Sequence, residues 1–407
     1  MATSSPRPGS QTGGESCSSL LAVFVALGVC GFAIGTSEFM IMGLLPDIAD
    51  DLDISLPQAG HLVSAYAIGV MIGAPLLAVL AARTPRRRLL TMLATLHGVA
   101  NLAALAVDGQ SAMLVMRFAA GLPHGAYFGA AAVTGASLVT PAHRGRAIGY
   151  VMLGLTLAML AGTPLASWIG IQQGWRTAFG AVGAVCLVGA VMIRFVVPQV
   201  PAPDAASPLE ELRSLAKPHL WLALSVVGIG FGGMFCVFSY IAPLLIPVSG
   251  FNAAYIPLAL ALFGTGGLAG TLFGGRLADI ALMRTIGGLL LYATVLLGLF
   301  SWLAGSVPTA LLSTFLLGGI VAIGPSFQIW LMDLAGQAKI LGAALTHSAI
   351  NFANALGAWL GGLTIAAGWG FHSLGWTGAL LGLGGLALFA IARVTSNDTT
   401  GKDVSDA

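Results

Sequence analysis

Residues 20–46 read LLAVFVALGVCGFAIGTSEFMIMGLLP, about 27 residues whose one ionisable side chain is Glu38. An apolar helix of roughly 20 residues crosses the hydrocarbon core of a bilayer, so this run reads as a transmembrane helix. A carboxylate at that depth costs about 2.5–3.5 kcal/mol on insertion scales. Something the molecule does must repay that cost.

The rest of the chain has the same character. Of 407 residues, 57% are hydrophobic and 8% charged, with a mean hydropathy of +0.92. Soluble domains carry about 25% charged residues, so too few charges remain here to coat a water-exposed surface. The chain reads as an integral membrane protein. Cys17, Cys30, Cys186 and Cys236 are scattered singly, which argues against a disulfide framework or a metal site; no metal and no cofactor are expected. The first 18 residues are rich in Ser, Gly and Pro, and the apolar run behind them is too long for a signal-peptide core. It reads as a retained first helix.

Apolar segments fall at about 19–45, 58–82, 88–107, 111–139, 145–170, 175–196, 219–246, 253–278, 284–304, 308–334, 338–367 and 372–393. The count is even, so both termini lie on one side. Of the 17 basic residues, Arg117 falls inside a span and Arg176 in a loop of the opposite side, while the other 15 lie on the side of the termini. By the positive-inside rule that side is cytoplasmic. The first opposite-side loop, PDIADDLDIS (46–55), agrees, with four aspartates and no base.

The Pro-rich polar stretch 198–218 divides the chain six spans plus six. The domain reading is a cytoplasmic tail (1–18), a six-helix bundle (19–197), a cytoplasmic linker (198–218), a second six-helix bundle (219–394) and a tail (395–407). AVLAARTPRRRLL (78–90) and GRLADIALMRTI (275–286) align weakly at equivalent places in the two halves, as two repeats related by an axis along the membrane normal would. Small residues recur at spacing four in the second span (Ala65, Gly69, Gly73), the fifth (Gly154, Ala158, Gly162, Ala166, Gly170), the eighth (Gly266, Gly270, Gly274) and the eleventh (Ala353, Gly357, Gly361). Such stripes let helix backbones approach closely in lipid. They read as tight packing, and the four helices that carry them also read as the contact between the halves, where rocking would occur.

There is no G-x-S-x-G, Walker A or H-E-x-x-H pattern. An enzyme is not indicated, and transport driven by ATP is excluded for want of a nucleotide loop. Two strongly ionisable groups lie well inside spans, Glu38 and Arg117. An apolar surrounding disfavours a carboxylate anion, so Glu38 is expected to hold a proton near neutral pH and release it when substrate or water arrives. Arg117 does not deprotonate; it tunes Glu38, positions helices through backbone carbonyls, or snorkels to the interface. His124 lies seven residues on, sharing a helical face with Arg117.

The two repeat loops resemble the G-x-L-A-D-R-x-G-R-R signature of the major facilitator superfamily. RFAAGLPHGAYFG (117–129) resembles the arginine motif of its drug:proton antiporter branch. GLTLAMLAGTPLASWIG (154–170) is similar to a loose antiporter motif, through Gly154, Gly162 and Pro164. The stretches 35–49, 60–77, 238–243 and 341–362 are similar to bacterial arabinose-efflux-like and chloramphenicol-efflux transporters. The resemblance covers all twelve spans. In the first loop the family's aspartate is replaced by Ala82 and its glycines by Ala78 and Pro85; the second keeps Gly275 and Asp279.

The resemblance implies an all-α integral membrane fold of 12 transmembrane helices in two pseudo-symmetric six-helix bundles, with helices 1, 4, 7 and 10 lining a central cavity. It implies proton coupling through Glu38, Arg117 and His124. It also implies a substrate cavity involving Phe39, Tyr66, Tyr127, Phe235, Tyr240, Gln328 and Trp330. Cytoplasmic gate loops would carry Arg83, Arg86, Arg87, Gly275, Asp279 and Arg284. The expected function is proton-coupled efflux of a small organic compound, such as a chloramphenicol-like drug, from the bacterial inner membrane. Export of a sugar, nucleoside or metabolite, and proton-coupled import, stand as alternatives; a non-transporting receptor is disfavoured, since no sizeable soluble domain exists to pass on a signal. The expected partners are substrate, protons and the lipid bilayer, with no nucleic acid, and the chain is expected to act as a monomer.

Overall fold

The computed structural model describes residues 13–80, 84–140, 143–199, 217–335 and 339–402, and among them there is no strand. The sequence readings for Ala82, Arg83, both tail ends and most of the linker lie outside the described residues. The twelve helices are α1 (Gly13–Asp51), α2 (Leu56–Leu80), α3 (Arg86–Ala103), α4 (Gln110–Ser137), α5 (144–173), α6 (Trp175–Val196), α7 (218–249), α8 (256–280), α9 (282–303), α10 (307–335), α11 (Lys339–Ala366) and α12 (Ser373–Lys402).

Ten described segments are long and apolar enough to cross a membrane. Two differences reconcile ten with twelve. First, α8 and α9 follow each other without a loop, separated only by the extended backbone of Ala281 (φ −157°, ψ 77°), where a longer connection is predicted between 278 and 284. Second, α4 falls short because it carries Arg117, Pro123 and His124. It packs against α2, α3 and α5 inside the first bundle, so neighbouring helices take the place of lipid around its polar face.

Several helices break where the sequence would break them. The second half of α5 begins after a π-helical turn at Ala158–Gly162, just before Pro164, which lacks the N–H that a regular turn would use. In α7 the helix pauses at Phe231 and again at Ser239–Tyr240.

The small-residue stripes pack within each bundle. A Cβ at Gly69 would come within 3.2 Å of the Gly121 Cα on α4, and one at Gly73 within 2.6 Å of Leu122 on the same helix. Gly154 and Gly162 seat α5 against Phe32 of α1, at 3.0 and 2.9 Å. In the second bundle Gly270 faces Gly319 on α10, and Gly357 and Gly361 face Cys236 and its neighbours on α7. The second and fifth helices of each half do form the contact between bundles, α2 on α11 and α5 on α8, but through different faces. The four helices thus meet across the seam as expected, while their small-residue stripes pack within each bundle.

The seam between bundles closes towards the acidic face, the side of the 51–55 loop. There Ser64 donates to the Ala355 carbonyl (3.2 Å), Phe39 packs on Phe238, and a Cβ at Gly43 would lie 2.6 Å from Leu260 of α8. On the same face Arg176 at the start of α6 pairs with Asp51 and with Asp108 (3.6 Å). Towards the opposite, basic face, residues 144–157 of α5 pack on α1 and α4, whereas 158–173 also reach α8. Among the described residues the seam is drawn together on the acidic side, and the stronger α5–α8 contacts are made by 158–173.

Candidate functional site: a buried polar cluster at the bundle seam

Glu38 lies on the part of α1 that faces α2 and α4, and only 5% of it is exposed. Its Oε2 is 3.9 Å from His124 Nδ1, close enough for a single water to bridge but too long for a direct hydrogen bond. The same His124 nitrogen is 2.9 Å from the Tyr66 hydroxyl of α2, so a continuous polar path runs Glu38, His124, Tyr66. From the second bundle, the Asn354 amide of α11 faces the Glu38 carboxyl. Asn354 is buried and neither of its amide atoms has another partner.

Arg117 is 1% exposed, which rules out snorkelling. Its Nε donates to the Leu62 carbonyl (3.3 Å), and its Nη1 to the Ser37 carbonyl and hydroxyl (2.9 and 3.4 Å). The guanidinium lies over the Tyr66 ring, 4.3 Å from its centroid. No ion pair joins it to Glu38 among the described residues. Arg117 thus ties α4 to α1 and α2 through backbone carbonyls, and its charge acts on Glu38 across a distance.

Two residues of α3 complete the cluster and were missed from sequence. Asn101 accepts from Ser37 Oγ (2.8 Å) and donates to the His97 carbonyl. The ring of His97 bonds the Ala120 carbonyl (2.8 Å) through Nδ1, and its Nε2 is buried without a partner. A signal existed: His97 and Asn101 are polar, four apart, in an apolar span, hence on one face of α3.

The structure brings Tyr66 into the Glu38 cluster but distributes the other proposed cavity residues. Phe39 and Gln328 are half-buried. Tyr127 donates to the Leu27 carbonyl of α1 (2.8 Å). Phe235 packs in α7 against Phe231. Tyr240 donates to the Ala358 carbonyl (2.9 Å) and wedges between Gly60 and Gly362 across the seam. Trp330 packs edge-on to Phe389 of α12, inside the second bundle. His347 of α11, in contrast, stacks on Phe128 of α4 (6.3 Å between centroids, 8° between planes), bringing a second-bundle imidazole near His124. Of the gate groups, Arg86 and Arg87 are half-buried, Asp279 and Arg284 are exposed, and Gly275 has no neighbour near its Cβ position. None of them forms an ion pair among the described residues.

Twelve apolar helices in two bundles, with a carboxyl, an imidazole and a guanidinium buried in the first bundle beside the seam, define a membrane transporter. Residues 27–345 match the model of the Major Facilitator Superfamily. The chain is 37% identical over 372 residues to the inner membrane transport protein YdhP of Escherichia coli K12, covering 91% of this chain and 95% of that protein. It is 32% identical over 376 residues to a chloramphenicol resistance protein of Streptomyces lividans, covering 90% and 93%. Its fold is similar to that of a bacterial homologue of the human lysosomal transporter Spinster, with a TM-score of 0.69 at 18% identity, covering 94% and 96%. The chain belongs to the major facilitator superfamily. It is a multi-pass membrane transporter and not an enzyme.

Proposed function

We propose that this protein exports a small organic compound across the bacterial inner membrane in exchange for protons, with Glu38 as the proton carrier. The observation that carries the reading is the placement of a buried carboxyl at the seam, faced by His124 from its own bundle and by an unpartnered Asn354 amide from the other. The Asn354 amide can serve Glu38 in either state, accepting from the neutral acid through Oδ1 or donating to the carboxylate through Nδ2. Only the neutral acid suits a dry seam, because a carboxylate shut away from water carries the desolvation cost of an anion, which favours admitting water between the bundles. Proton occupancy and seam closure are then one equilibrium, and alternating access follows if 19–197 and 219–394 rock as units around the site. The surplus of basic residues on the side of the termini supports a cytoplasmic position for both.

One acid and one base beside apolar walls do not suit a strongly charged ligand, so the substrate is a neutral or weakly cationic amphipathic compound. The likeness to a protein named for chloramphenicol resistance supports that class. The experiment is proton release from purified protein on addition of a compound panel led by chloramphenicol, with Glu38→Gln alongside. Substrate-driven release that vanishes in the variant is the expected result. Release that persists in Glu38→Gln overturns the carrier assignment, and proton uptake in place of release overturns exchange.

A further inference from the structure

Towards the basic face α3 and α6 run side by side, and Cys186 Sγ donates to the Ala94 carbonyl (3.3 Å). They touch at Gly98 and Gly183, where a Cβ added at Gly98 would lie 3.1 Å from the Gly183 carbonyl oxygen. Nearer the basic face a cavity of about 360 Å³ opens, lined by Arg87, Arg88, Thr91 and Met92 of α3, by Arg194 near the end of α6 and by Gln199 beyond it. That volume is at the lower end of the range of small-molecule sites.

Three guanidinium groups from two helices converge on this space, and none makes an ion pair among the described residues. The first turn of α3 holds three arginines and no acidic residue, an arrangement that the helix dipole disfavours. Among the described residues the site is thus positively charged and has no acidic partner. Leading away from it towards the membrane interior, Met92, Leu96 and Val99 on one face of α3 are exposed, as are Val188, Val191 and Phe195 on α6. A ligand that satisfies both parts has an anionic head and apolar tails.

We propose that this cavity binds the phosphodiester headgroup of an anionic phospholipid, with its acyl chains lying along the exposed apolar faces of α3 and α6. Guanidinium forks match phosphate oxygens bidentately. The Thr91 hydroxyl and Gln199 amide add neutral donors that suit the same oxygens. The lipid would hold the α3 and α6 ends at their present separation, independently of how Glu38 is used.

The test uses the full-length protein in a neutral detergent containing phosphatidylcholine, titrated with phosphatidylglycerol and read by native mass spectrometry. Two charge-matched double variants decide it: Arg88→Gln/Arg194→Gln at the cavity, and Arg144→Gln/Arg146→Gln elsewhere on the basic face. All four side chains are exposed, so folding is retained, which thermal unfolding checks. At about fivefold per basic residue, the cavity variant should lower phosphatidylglycerol retention at least tenfold, and the control should stay within about twofold. Equal losses in both variants overturn the site in favour of diffuse electrostatic attraction. Inorganic phosphate, titrated as a competitor, separates the two sources of the headgroup chemistry. Failure to displace the lipid is expected, while displacement that depends on Arg88 and Arg194 overturns the lipid assignment.

Discussion

The two bundles share a fold but not a chemistry. Among the described residues, every fully buried ionisable acid, base or imidazole (Glu38, His97, Arg117, His124) lies in the first bundle. The corresponding interior of the second is aromatic and aliphatic, with Phe231, Phe235, Phe238, Phe263 and Phe327 buried and Phe238 stacked on Phe263 at 3.7 Å. Its polar contribution at the seam is neutral, Asn351 and Asn354, with His347 half-buried beside them. Pseudo-symmetric architecture therefore carries asymmetric work. Under the proposed function, one half would hold the charge that changes, and the other would supply a surface whose fit to that half depends on the charge.

The sharpest way to break this contrast is at the charge itself. Glu38→Gln keeps shape and removes titration, so exchange should be lost entirely while the purified protein melts no lower than the parent. Transport that continues in this variant, measured in vesicles with an imposed pH gradient, would place proton coupling outside the first bundle.

Arg117→Ala comes next. It removes the donors that satisfy the Leu62 and Ser37 carbonyls, and buried acceptors left unpaired cost about 1–3 kcal/mol in total stability. A lowered melting temperature in detergent is the expected reading. Arg117→Lys should recover part of the stability but not all, because an ammonium lacks the planar fork that reaches two helices at once. Full recovery would mean that only charge matters at this position.

Asn354→Ala tests the neutral side of the comparison. If the amide bonds the Glu38 carboxyl across the seam, its loss should slow exchange about two- to tenfold, the equivalent of a single hydrogen bond, and leave the melting temperature nearly unchanged. The same variant in a Glu38→Gln background should add nothing further.

The smallest effect is expected at Gly275. Nothing lies within 4 Å of its Cβ position, unlike Gly69 and Gly73, so Gly275→Ala should alter stability by no more than about 0.5 kcal/mol. A larger change would show that this part of α8 meets another surface during the transport cycle.

Much of this was legible in the chain. Glu38 announces itself as one carboxyl in an apolar run, and Arg117 and His124 share a face seven residues apart. The twelve spans follow from hydropathy, and the break at Ala281 falls in the gap read between 278 and 284, although one extended residue takes the place of a longer connection. The cluster's α3 members were harder to see, because an isolated His and Asn four apart look like ordinary interior polar residues until Ser37 and Arg117 are placed beside them. From sequence Tyr240 reads as a substrate contact on a cavity helix and Trp330 as an apolar wall. Whether an aromatic on such a helix faces the cavity or a neighbour depends on rotation about the helix axis, which packing sets.

Sequence alone determined that this chain lives in a bilayer, how many times it crosses, and which few ionisable groups are carried inside. Those are local properties, because transfer from water to hydrocarbon is tallied segment by segment. Tertiary structure decided which faces meet. In lipid, apolar side chains do not prefer one another over acyl chains, so helix pairing is chosen by surface shape and a few hydrogen bonds. That choice sends the glycine stripes inward, gives the seam to their neighbouring faces, and sets Asn354 of one half opposite Glu38 of the other.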